Sequence, residues 1–249
     1  MKTQIKTTEE ISNIRRSGAI LAAVLKHLEE VVRPGITTQQ IDDIALAETI
    51  KRNAQPAFHG YEGFPANICV SVNDEVVHTI PSSRTIKNGD VVGLDYGVVY
   101  EGMITDSAIT IAVGEPSRQA ARLIKGTSLA LDQAIDTIRD GVRVGDIGAV
   151  IDDVLKSYNL SVAEGLSGHG VGHHVHEDPS IPNFGTSGTG QVLRAGMTIA
   201  VEPIATIGHG RIYLADDGWT YKTVDGSLAA QFEHTILITQ DGAEVLTTR

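Results

Sequence analysis

Two aspartates in apolar, strand-like segments are the first indication of chemistry in this sequence. Asp95 lies within the apolar segment 91–98 and Asp106 within 104–108. A buried carboxylate is costly unless a partner compensates its charge. If a short loop at Tyr100-Glu101 joins the segments as a hairpin, Asp95 directly opposes Asp106, and like charges there repel. The pair therefore predicts a cation between the two side chains. A slipped register with one aspartate exposed is the alternative.

Two glutamates and a histidine extend this acidic set. Glu202 and Glu233 are lone acids in strand-like apolar segments, without an adjacent Lys or Arg. His169 lies in a glycine-rich segment, 168–172, where backbone and ligand can approach closely. Carboxylates with one imidazole suit Mn(II), Fe(II) or Co(II), and Zn(II) less exclusively. Four carboxylates supply enough oxygens for two ions. We expect the nearby His173 and His174 to be solvated.

Other catalytic templates are missing from the sequence. It contains no HExxH, no GxSxG nucleophile elbow and no glycine-rich phosphate loop. The lone cysteine, Cys69, has no neighbour that would activate it, so we expect a packed thiol. These absences leave metal-assisted chemistry as the interpretation that the acidic residues favour.

Composition restricts the partners and the compartment. Of 249 residues, 41% are hydrophobic and 20% are charged, and the net charge is −11, which argues against nucleic acid as the main partner. A single cysteine cannot form an internal disulfide, which indicates a reducing compartment. No apolar run has the length of a membrane span, and Met1 to Gln4 show no sign of a secretory signal. We therefore expect a cytoplasmic protein.

The elements that must position the acids follow from periodicity. The pattern predicts helices over 8–32 (with Thr8 as N-cap), 38–52, 117–139 and 145–158. It predicts strands over 67–72, 91–99 and 103–112, and further glycine-punctuated strands after 161. The order of two helices followed by strands thus occurs twice, which favours an α+β fold.

Two short segments point to a duplication. Residues 32–36 and 138–142 are similar and lie 106 positions apart. They indicate two halves, about 8–112 and 117–249, that are related by a pseudo-twofold axis and pool their strands in one central sheet. A site between the halves would draw ligands from both. Two unrelated helix–turn–helix joints are the alternative.

The chain resembles the type I methionine aminopeptidases of peptidase family M24. Besides Asp95 and Asp106, the resemblance rests on residues 60–65, 67–73, 77–81, 168–172, 176–179, 196–203, 217–220 and 231–235, and it extends over essentially the whole chain. It implies the pita-bread fold shared with prolidases and creatinase, with duplicated halves around a central curved antiparallel sheet. It also implies one catalytic domain over 1–249 without an N-terminal extension domain.

The resemblance assigns residues to roles. The implied ligands of two divalent ions (Co²⁺, Mn²⁺, Fe²⁺ or Zn²⁺) are Asp95, Asp106, His169, Glu202 and Glu233. Asp106 and Glu233 would bridge both ions, Asp95 would complete one shell, and His169 with Glu202 the other. His78 and His176 match the catalytic histidines that are not ligands. The methionine side chain would lie against Tyr61, Phe64, Cys69 and Trp219.

The implied activity is removal of the initiator methionine from nascent chains whose second residue is small. Glu202 would take a proton from water that the ions activate, and later pass it to the leaving amine. His176 and the ions would stabilise the oxyanion, and His78 would bind the peptide nitrogen beyond the scissile bond. The implied partners are the N-termini of nascent chains and, transiently, the ribosome. Neither nucleic acid nor a membrane is expected, and the resemblance implies a monomer.

Two positions depart from the family pattern. Glu62 stands where a histidine is common, and Val175 where a bulkier residue such as Phe is often found. We expect Phe58, at a position where a small residue also occurs, to fill the space beside Val175. The alternative is a wider, less selective pocket, with the Glu62 charge near the path of the substrate amine.

Two other functions remain as alternatives. A prolidase or Xaa-Pro aminopeptidase uses nearly the same ligands, and residues 175–177 resemble that group. Those enzymes usually carry an extra N-terminal domain, whereas the first helix here begins near Thr8. A type II methionine aminopeptidase is not among them, because it would need a helical insertion between His176 and Glu202 and that interval is too short here. A non-catalytic binding member of the fold would have lost metal ligands, and all five positions are intact.

Overall fold

Four helices form where the apolar periodicity predicts them. The computed structural model describes residues 5–249, and the expectation for Met1 to Gln4 lies outside them. The helices are α1 (Thr8–Val31), α2 (Thr38–Ile50), α3 (Arg118–Thr137) and α4 (Val144–Ser157), with a short 3₁₀ helix at Tyr61–Gly63. The N-cap of α1 is Thr7 rather than Thr8, because the Thr7 hydroxyl and the Glu10 carboxylate each accept a backbone N–H of the other residue.

Fifteen strands are found among the described residues. In the first half they are β1 (Gln55–Pro56), β2 (Ile68–Val72), β3 (Glu75–Val77), β4 (Val91–Tyr100) and β5 (Met103–Ala112). In the second half they are β6 (Ser161–Val162), β7 (Ser167–Gly170), β8 (Glu177–Pro182), β9 (Thr198–Val201), β10 (Ile204–Thr206), β11 (Ile212–Leu214), β12 (Tyr221–Thr223), β13 (Ala229–Gln231), β14 (His234–Ile238) and β15 (Ala243–Val245).

The strands form four antiparallel sheets. In one, β5 pairs along the whole of β4, and β1 and β2 pair with separate stretches of the other edge of β4. Another sheet has the order β15-β14-β9-β7-β8. Two three-stranded sheets have the orders β13-β10-β6 and β11-β12-β3. Between β5 and the β13–β14 connection, Ala108 and Glu233 exchange two backbone hydrogen bonds. This contact joins the strands of the two halves at the centre of the molecule, where the acidic residues lie.

The register of the β4–β5 hairpin differs from the prediction. Asp95 pairs with Ala108, and Asp106 pairs with Gly97. The loop consists of Glu101 and Gly102, which both have positive φ, as a tight two-residue turn requires. The expected direct opposition of Asp95 and Asp106 is therefore wrong by two residues. A shift of two residues keeps every side chain on its face, so both carboxyls still point to the same side.

Two hydrophobic cores flank this centre. In the first, Leu21 and Leu25 of α1 and Ile41 of α2 pack against Leu94 and Tyr96 of β4. This is the face of β4 opposite Asp95, as the alternation predicts. In the second core, α3 and α4 pack against β9 and β14. Each helix pair thus covers the sheet of its own half, and the described helices include none that is long and apolar enough to cross a membrane.

Candidate metal centre and substrate pocket

All twelve side chains that the sequence singles out for the site line one cavity of about 330 Å³. They are Phe58, Tyr61, Phe64, Cys69, His78, Asp95, Asp106, His169, His176, Glu202, Trp219 and Glu233. Four carboxylates and three imidazoles thus face the same space as an apolar wall. The structure brings these residues together, and the individual roles stay predictions.

Asp106, His169 and Glu233 form the tightest group of potential ligands. One ligand atom of each lies within 4.8 Å of those of the other two, and all three side chains are buried. Asp106 comes from β5 and His169 from β7, whereas Glu233 lies between β13 and β14. The backbone bonds between Ala108 and Glu233 hold these elements together, and the Ser107 hydroxyl adds a bond to the Glu233 carbonyl. The group therefore depends on contacts between the two halves.

Glu202 and a glutamine that the sequence interpretation missed adjoin this group. Glu202 directly follows β9, and its Oε1 lies 3.4 Å from Nε2 of His169. The Gln231 amide donates to Oε2 of Glu202 (3.3 Å) and to Oε2 of Glu233 (3.4 Å). A signal was present, because Gln231 stands two residues before Glu233, the spacing that places side chains on one face of an extended chain.

The protonation of His169 leaves one ring nitrogen available as a ligand. Burial, and then the neighbouring His176, lower the pKa of His169 to about 3, so its imidazole is neutral. Its Nδ1 lies 2.9 Å from the carbonyl oxygen of Gly170, which can only accept, so Nδ1 carries the hydrogen. The lone pair of Nε2 therefore faces the Glu202 carboxylate. Two electron-rich atoms this close favour a cation or a proton between them.

The four acids cannot all ionise in this environment by themselves. Burial raises the pKa of Asp95 to about 7. Burial also raises the pKa values of Asp106, Glu202 and Glu233 well above their ordinary range, and the charge of a neighbouring acid raises each further. Clustered carboxylates with raised pKa values are characteristic of a functional site. A cation among them would remove the cause of the repulsion.

Unpaired oxygens show that the residues fit such a cation. Oδ1 of Asp95, Oδ1 of Asp106 and Oε1 of Glu233 are buried and have no hydrogen-bond partner among the described residues. A buried polar atom without a partner is rare and needs an explanation. Three such carboxylate oxygens beside the free Nε2 of His169 form the mixed oxygen and nitrogen donor set that divalent transition metals bind.

Two further histidines line the same cavity. Burial lowers the pKa of His78 to about 4, and its ring lies edge-on to Tyr221 at a centroid distance of 5.9 Å. Burial also lowers the pKa of His176, and the charge of Glu62 opposes that shift. Tyr61 Oη lies 2.9 Å from Nδ1 of His176. Both imidazoles are neutral, so each can donate one hydrogen bond and accept another.

The apolar wall is a compact cluster of Phe58, Phe64, Ala66, Cys69 and Val175. The rings of Phe64 and Trp219 meet edge-to-face at 5.2 Å. Gly97 allows the Phe58 ring to lie against β4, since a Cβ there would come within 2.6 Å of it. Burial raises the pKa of Cys69, which keeps the thiol protonated and agrees with a packed thiol. Phe58 and Val175 share this cluster, as the expected compensation requires.

A buried ion pair that the sequence did not predict supports the segment carrying His176. Nζ of Lys6 lies 2.8 Å from Oε2 of Glu177, and both side chains are almost fully buried. Oε1 of Glu177 accepts the backbone N–H groups of His173 and His174. His174 is exposed, as expected. His173, in contrast, is half-buried, and its Nε2 lies 2.7 Å from Oε1 of Glu10. The N-terminal segment thus anchors one wall of the cavity.

Comparison with known proteins gives concordant results. The family model described as metallopeptidase family M24 matches residues 12–240. The methionine aminopeptidase of Clostridium perfringens is 42% identical over 243 residues, which cover 98% of each chain. The crystal structure of a methionine aminopeptidase from Thermotoga maritima superposes with a TM-score of 0.97 at 44% identity, covering 99% of this chain and 100% of that one.

Similarity to a prolidase-type enzyme is more distant. The Xaa-Pro dipeptidase from Bacillus anthracis superposes with a TM-score of 0.79 at 25% identity. The alignment covers 98% of this chain but only 62% of the dipeptidase. The pita-bread fold is therefore common to both groups, and the higher identity over full length lies with the methionine aminopeptidases.

Proposed function

The chain belongs to metallopeptidase family M24 and acts as a methionine aminopeptidase, and on this premise we propose how its residues divide the work. The proposed ligands of its divalent metal are Asp95, Asp106, His169, Glu202 and Glu233, and the proposed catalytic side chains are His78, His176 and Glu202. The Xaa-Pro activity that the sequence left open belongs to a distant relation.

One observation carries this assignment: buried carboxylate oxygens without partners line the same cavity as a neutral imidazole and an apolar wall. Four carboxylates offer more oxygens than one ion needs, so we assign two ions, which these four acids and His169 would hold together. Co²⁺, Mn²⁺, Fe²⁺ and Zn²⁺ all fit the donor set. Divalent ions bound there would activate a water and polarise the substrate carbonyl.

The chain's own side chains carry the proton and orient the substrate. Glu202 accepts the proton of the attacking water on a carboxylate oxygen and delivers it to the leaving amine. Its Oε2 is held by the Gln231 amide, which leaves Oε1 toward His169. His176 donates a hydrogen bond to the oxygen that becomes negative in the transition state. His78 holds the peptide nitrogen beyond the scissile bond.

The apolar wall accounts for the choice of methionine. Phe58, Phe64, Cys69 and Trp219 line the cavity together with the ring of Tyr61. A flexible thioether packs well against aromatic rings and gains S–aromatic contacts of about 0.3–1.5 kcal/mol. A charged or short first side chain would either bury its charge there or leave the space unfilled, so the wall favours methionine.

We assign the wider setting from the same premise. The substrates are the N-termini of nascent chains whose second residue is small, the chain works as a monomer in the cytoplasm, and contact with the ribosome is transient. A free, buried Cys69 supports a reducing compartment. The single catalytic domain consists of duplicated halves, about 8–112 and 117–249, which agrees with the repeated order of helices and strands.

The test combines metal analysis with two substrates. Wild-type protein is stripped of metal, reloaded with Mn²⁺ or Co²⁺, and assayed on Met-Ala-Ser and on an Ala-Pro peptide. We expect two ions per chain and cleavage of Met-Ala-Ser only. Asp106→Asn should lose bound metal and activity, whereas Asp153→Asn, at an exposed acid of α4, should retain both. Full metal binding by Asp106→Asn, or preference for Ala-Pro, would contradict the assignment.

A further inference from the structure

Strand β11 forms the open edge of a sheet at the rim of the cavity. Its sheet has the order β11-β12-β3, so β12 is its sole neighbour within the described residues. Leu214, the last residue of β11, lines the cavity and is nevertheless 48% exposed. Its neighbour Tyr213 is 47% exposed. The edge therefore begins where the bound substrate meets solvent.

The pairing of β11 with β12 shows which backbone groups face outward. The Ala215 N–H donates to the carbonyl of Thr220, and the Val224 N–H donates to the carbonyl of Arg211. Hydrogen-bonded and non-bonded pairs alternate along an antiparallel ladder. The intermediate residues, Ile212 and Leu214, therefore turn their N–H and C=O groups away from β12.

These outward groups have no partner in the described part of the chain. No backbone or side-chain hydrogen bond of residues 5–249 reaches the backbone of Ile212 or Leu214 from the open side. On the other strand, the Thr223 N–H donates to the carbonyl of Asp74 beyond β12, which confirms that Thr223 does not bond to Ile212, the residue opposite it. The edge thus offers two donors and two acceptors at a spacing of two residues, roughly 6.8 Å.

We propose that the substrate polypeptide, beyond its second residue, adds as an extra strand to the open edge of β11. This inference rests on the proposed function, because it takes the first residue to lie in the apolar wall. The chain must then leave the cavity past its rim, where Leu214 places the edge beside its path. Main-chain pairing with an edge strand binds extended peptides with little regard to their side chains.

Such binding suits an enzyme whose substrates share only their first residues. Contacts through backbone N–H and C=O groups would increase affinity for long chains without selecting their sequence. Strand pairing also predicts an alternating pattern, because only every second substrate residue can form backbone hydrogen bonds with the edge. The neighbouring substrate residues would turn their backbone groups to solvent.

The first experiment compares substrate length in matched variants. Met-Ala-Ser and the same peptide extended by three residues are assayed with metal-loaded wild type, Ile212→Pro and Ile212→Ala. Proline removes the outward N–H of Ile212 but no bond to β12, whereas alanine keeps that N–H and shortens the side chain. With wild type and Ile212→Ala, we expect the longer peptide to have the higher kcat/KM because its KM is lower. With Ile212→Pro, this gain should be smaller by about two- to tenfold. All three should cleave Met-Ala-Ser equally.

The second experiment leaves the protein unchanged. Single N-methylation along the extended peptide removes one substrate N–H at a time. If the peptide pairs with the edge, N-methylation at alternate positions beyond the second residue should raise KM and so lower kcat/KM. N-methylation at the positions between them should have little effect. Absence of a length effect, equal losses in both variants, or no alternation would overturn the proposal. A dimer that dissociates in Ile212→Pro without a change in length dependence would instead assign the edge to a second copy.

The two experiments distinguish failure of the proposed function from failure of the strand addition. If the proposed function is wrong, wild type does not cleave Met-Ala-Ser at all. If only the strand addition is wrong, Met-Ala-Ser is cleaved normally and extension brings no gain. The melting temperature of Ile212→Pro shows whether this variant is folded. If it is not folded, the N-methylated peptides test the strand addition on wild-type protein.

Discussion

The hydroxyl oxygen of Tyr61 lies 2.9 Å from Nδ1 of His176, between residues 115 positions apart in the chain. Burial lowers the pKa of His176, so its imidazole is neutral and Nδ1 can accept the phenol hydrogen. The hydrogen of the ring is then held on Nε2. A Tyr61 hydroxyl that donates to Nδ1 would favour the tautomer that the proposed role of His176 requires, in which Nε2 donates a hydrogen bond to the substrate.

Tyr61→Phe tests this relationship. Loss of one hydrogen bond to a neutral partner should lower kcat about two- to tenfold with little change in KM. Steady-state kinetics on Met-Ala-Ser measures both constants. In a His176→Ala background the same substitution should cost nothing further, since the two residues act through one bond. An equal loss in both backgrounds would contradict the role of Tyr61.

Glu202→Gln tests the proton transfer. Glutamine keeps the shape of the side chain but cannot accept a proton, so kcat should fall by about 10²–10⁴. The assay uses protein whose metal content has been measured, because Glu202 is also a proposed ligand. A change of only a few-fold in metal-replete protein would remove Glu202 from the mechanism.

Metal should raise the melting temperature through its binding energy. An ion present at about one hundred times its dissociation constant stabilises the folded chain by about 2.7 kcal/mol. For a chain of this size, that stabilisation corresponds to a rise in melting temperature of about 5–10 °C. Differential scanning calorimetry of stripped and Mn²⁺-loaded protein measures it. Identical melting temperatures would show that the acidic cluster is not a cation site.

Without metal, the Asp95 carboxyl should make the chain less stable as the pH rises from about 4 to about 7, whereas the buried imidazoles of His78 and His169, with pKa values lowered to about 4 and about 3, act in the opposite direction. Burial raises the pKa of Asp95 to about 7 from its ordinary 3.8, so the folded chain holds a proton that the unfolded chain has released. The folded state then binds more protons, and rising pH favours unfolding. The slope should flatten in loaded protein, where a cation favours the ionised form. The contribution of Asp95 is measured as the difference in melting temperature between metal-free wild type and metal-free Asp95→Asn, and a difference that stays constant over this pH range would contradict the shift.

Lys6→Met should destabilise the fold strongly. It leaves the buried Glu177 carboxylate without its cation, and breaking a buried pair in this way costs about 3–5 kcal/mol. The matched control is Arg15→Met, which breaks the exposed pair with Glu244 and should cost at most about 1 kcal/mol. Urea unfolding measures the free energy of unfolding of both variants. Equal losses in Lys6→Met and Arg15→Met would show that burial does not make the Lys6–Glu177 pair more important than an exposed pair.

The apolar wall gives a last pair of variants. Phe58→Cys should lower kcat/KM for Met-Ala-Ser about two- to tenfold, because it removes an aromatic contact of the thioether. If Phe58 fills the space beside Val175, with which it shares a cluster, Val175→Phe should help little. Phe184→Cys, at an exposed aromatic residue, is the matched control. If Val175→Phe tightened binding severalfold and Phe58→Cys had no effect, the pocket would be open and Glu62 would become the more important departure.

Much of the architecture followed from local patterns. The four helices and the strands β2, β4 and β5 were predicted within a few residues because caps and apolar periodicity act between near neighbours. The short strands β1 and β3 were not predicted, and the strands after residue 161 were predicted only as a group. The same alternation placed Asp95 and Asp106 on one face of the hairpin, and the face survived although the register did not. The register depended on the Glu101-Gly102 turn, whose positive φ angles place the two-residue loop one position later than expected, and apolar spacing does not encode that position.

Contacts between distant segments were beyond the sequence alone. Lys6 meets Glu177 across 171 positions, and Gln231 joins Glu202 to Glu233 only after β13 has packed beside β10. The sequence by itself determined which residues could act as ligands, bases and pocket walls, and on which face of each element they stand. The tertiary structure alone decided their distances, burial and protonation, because these depend on how the two cores bring the elements together around the acidic centre.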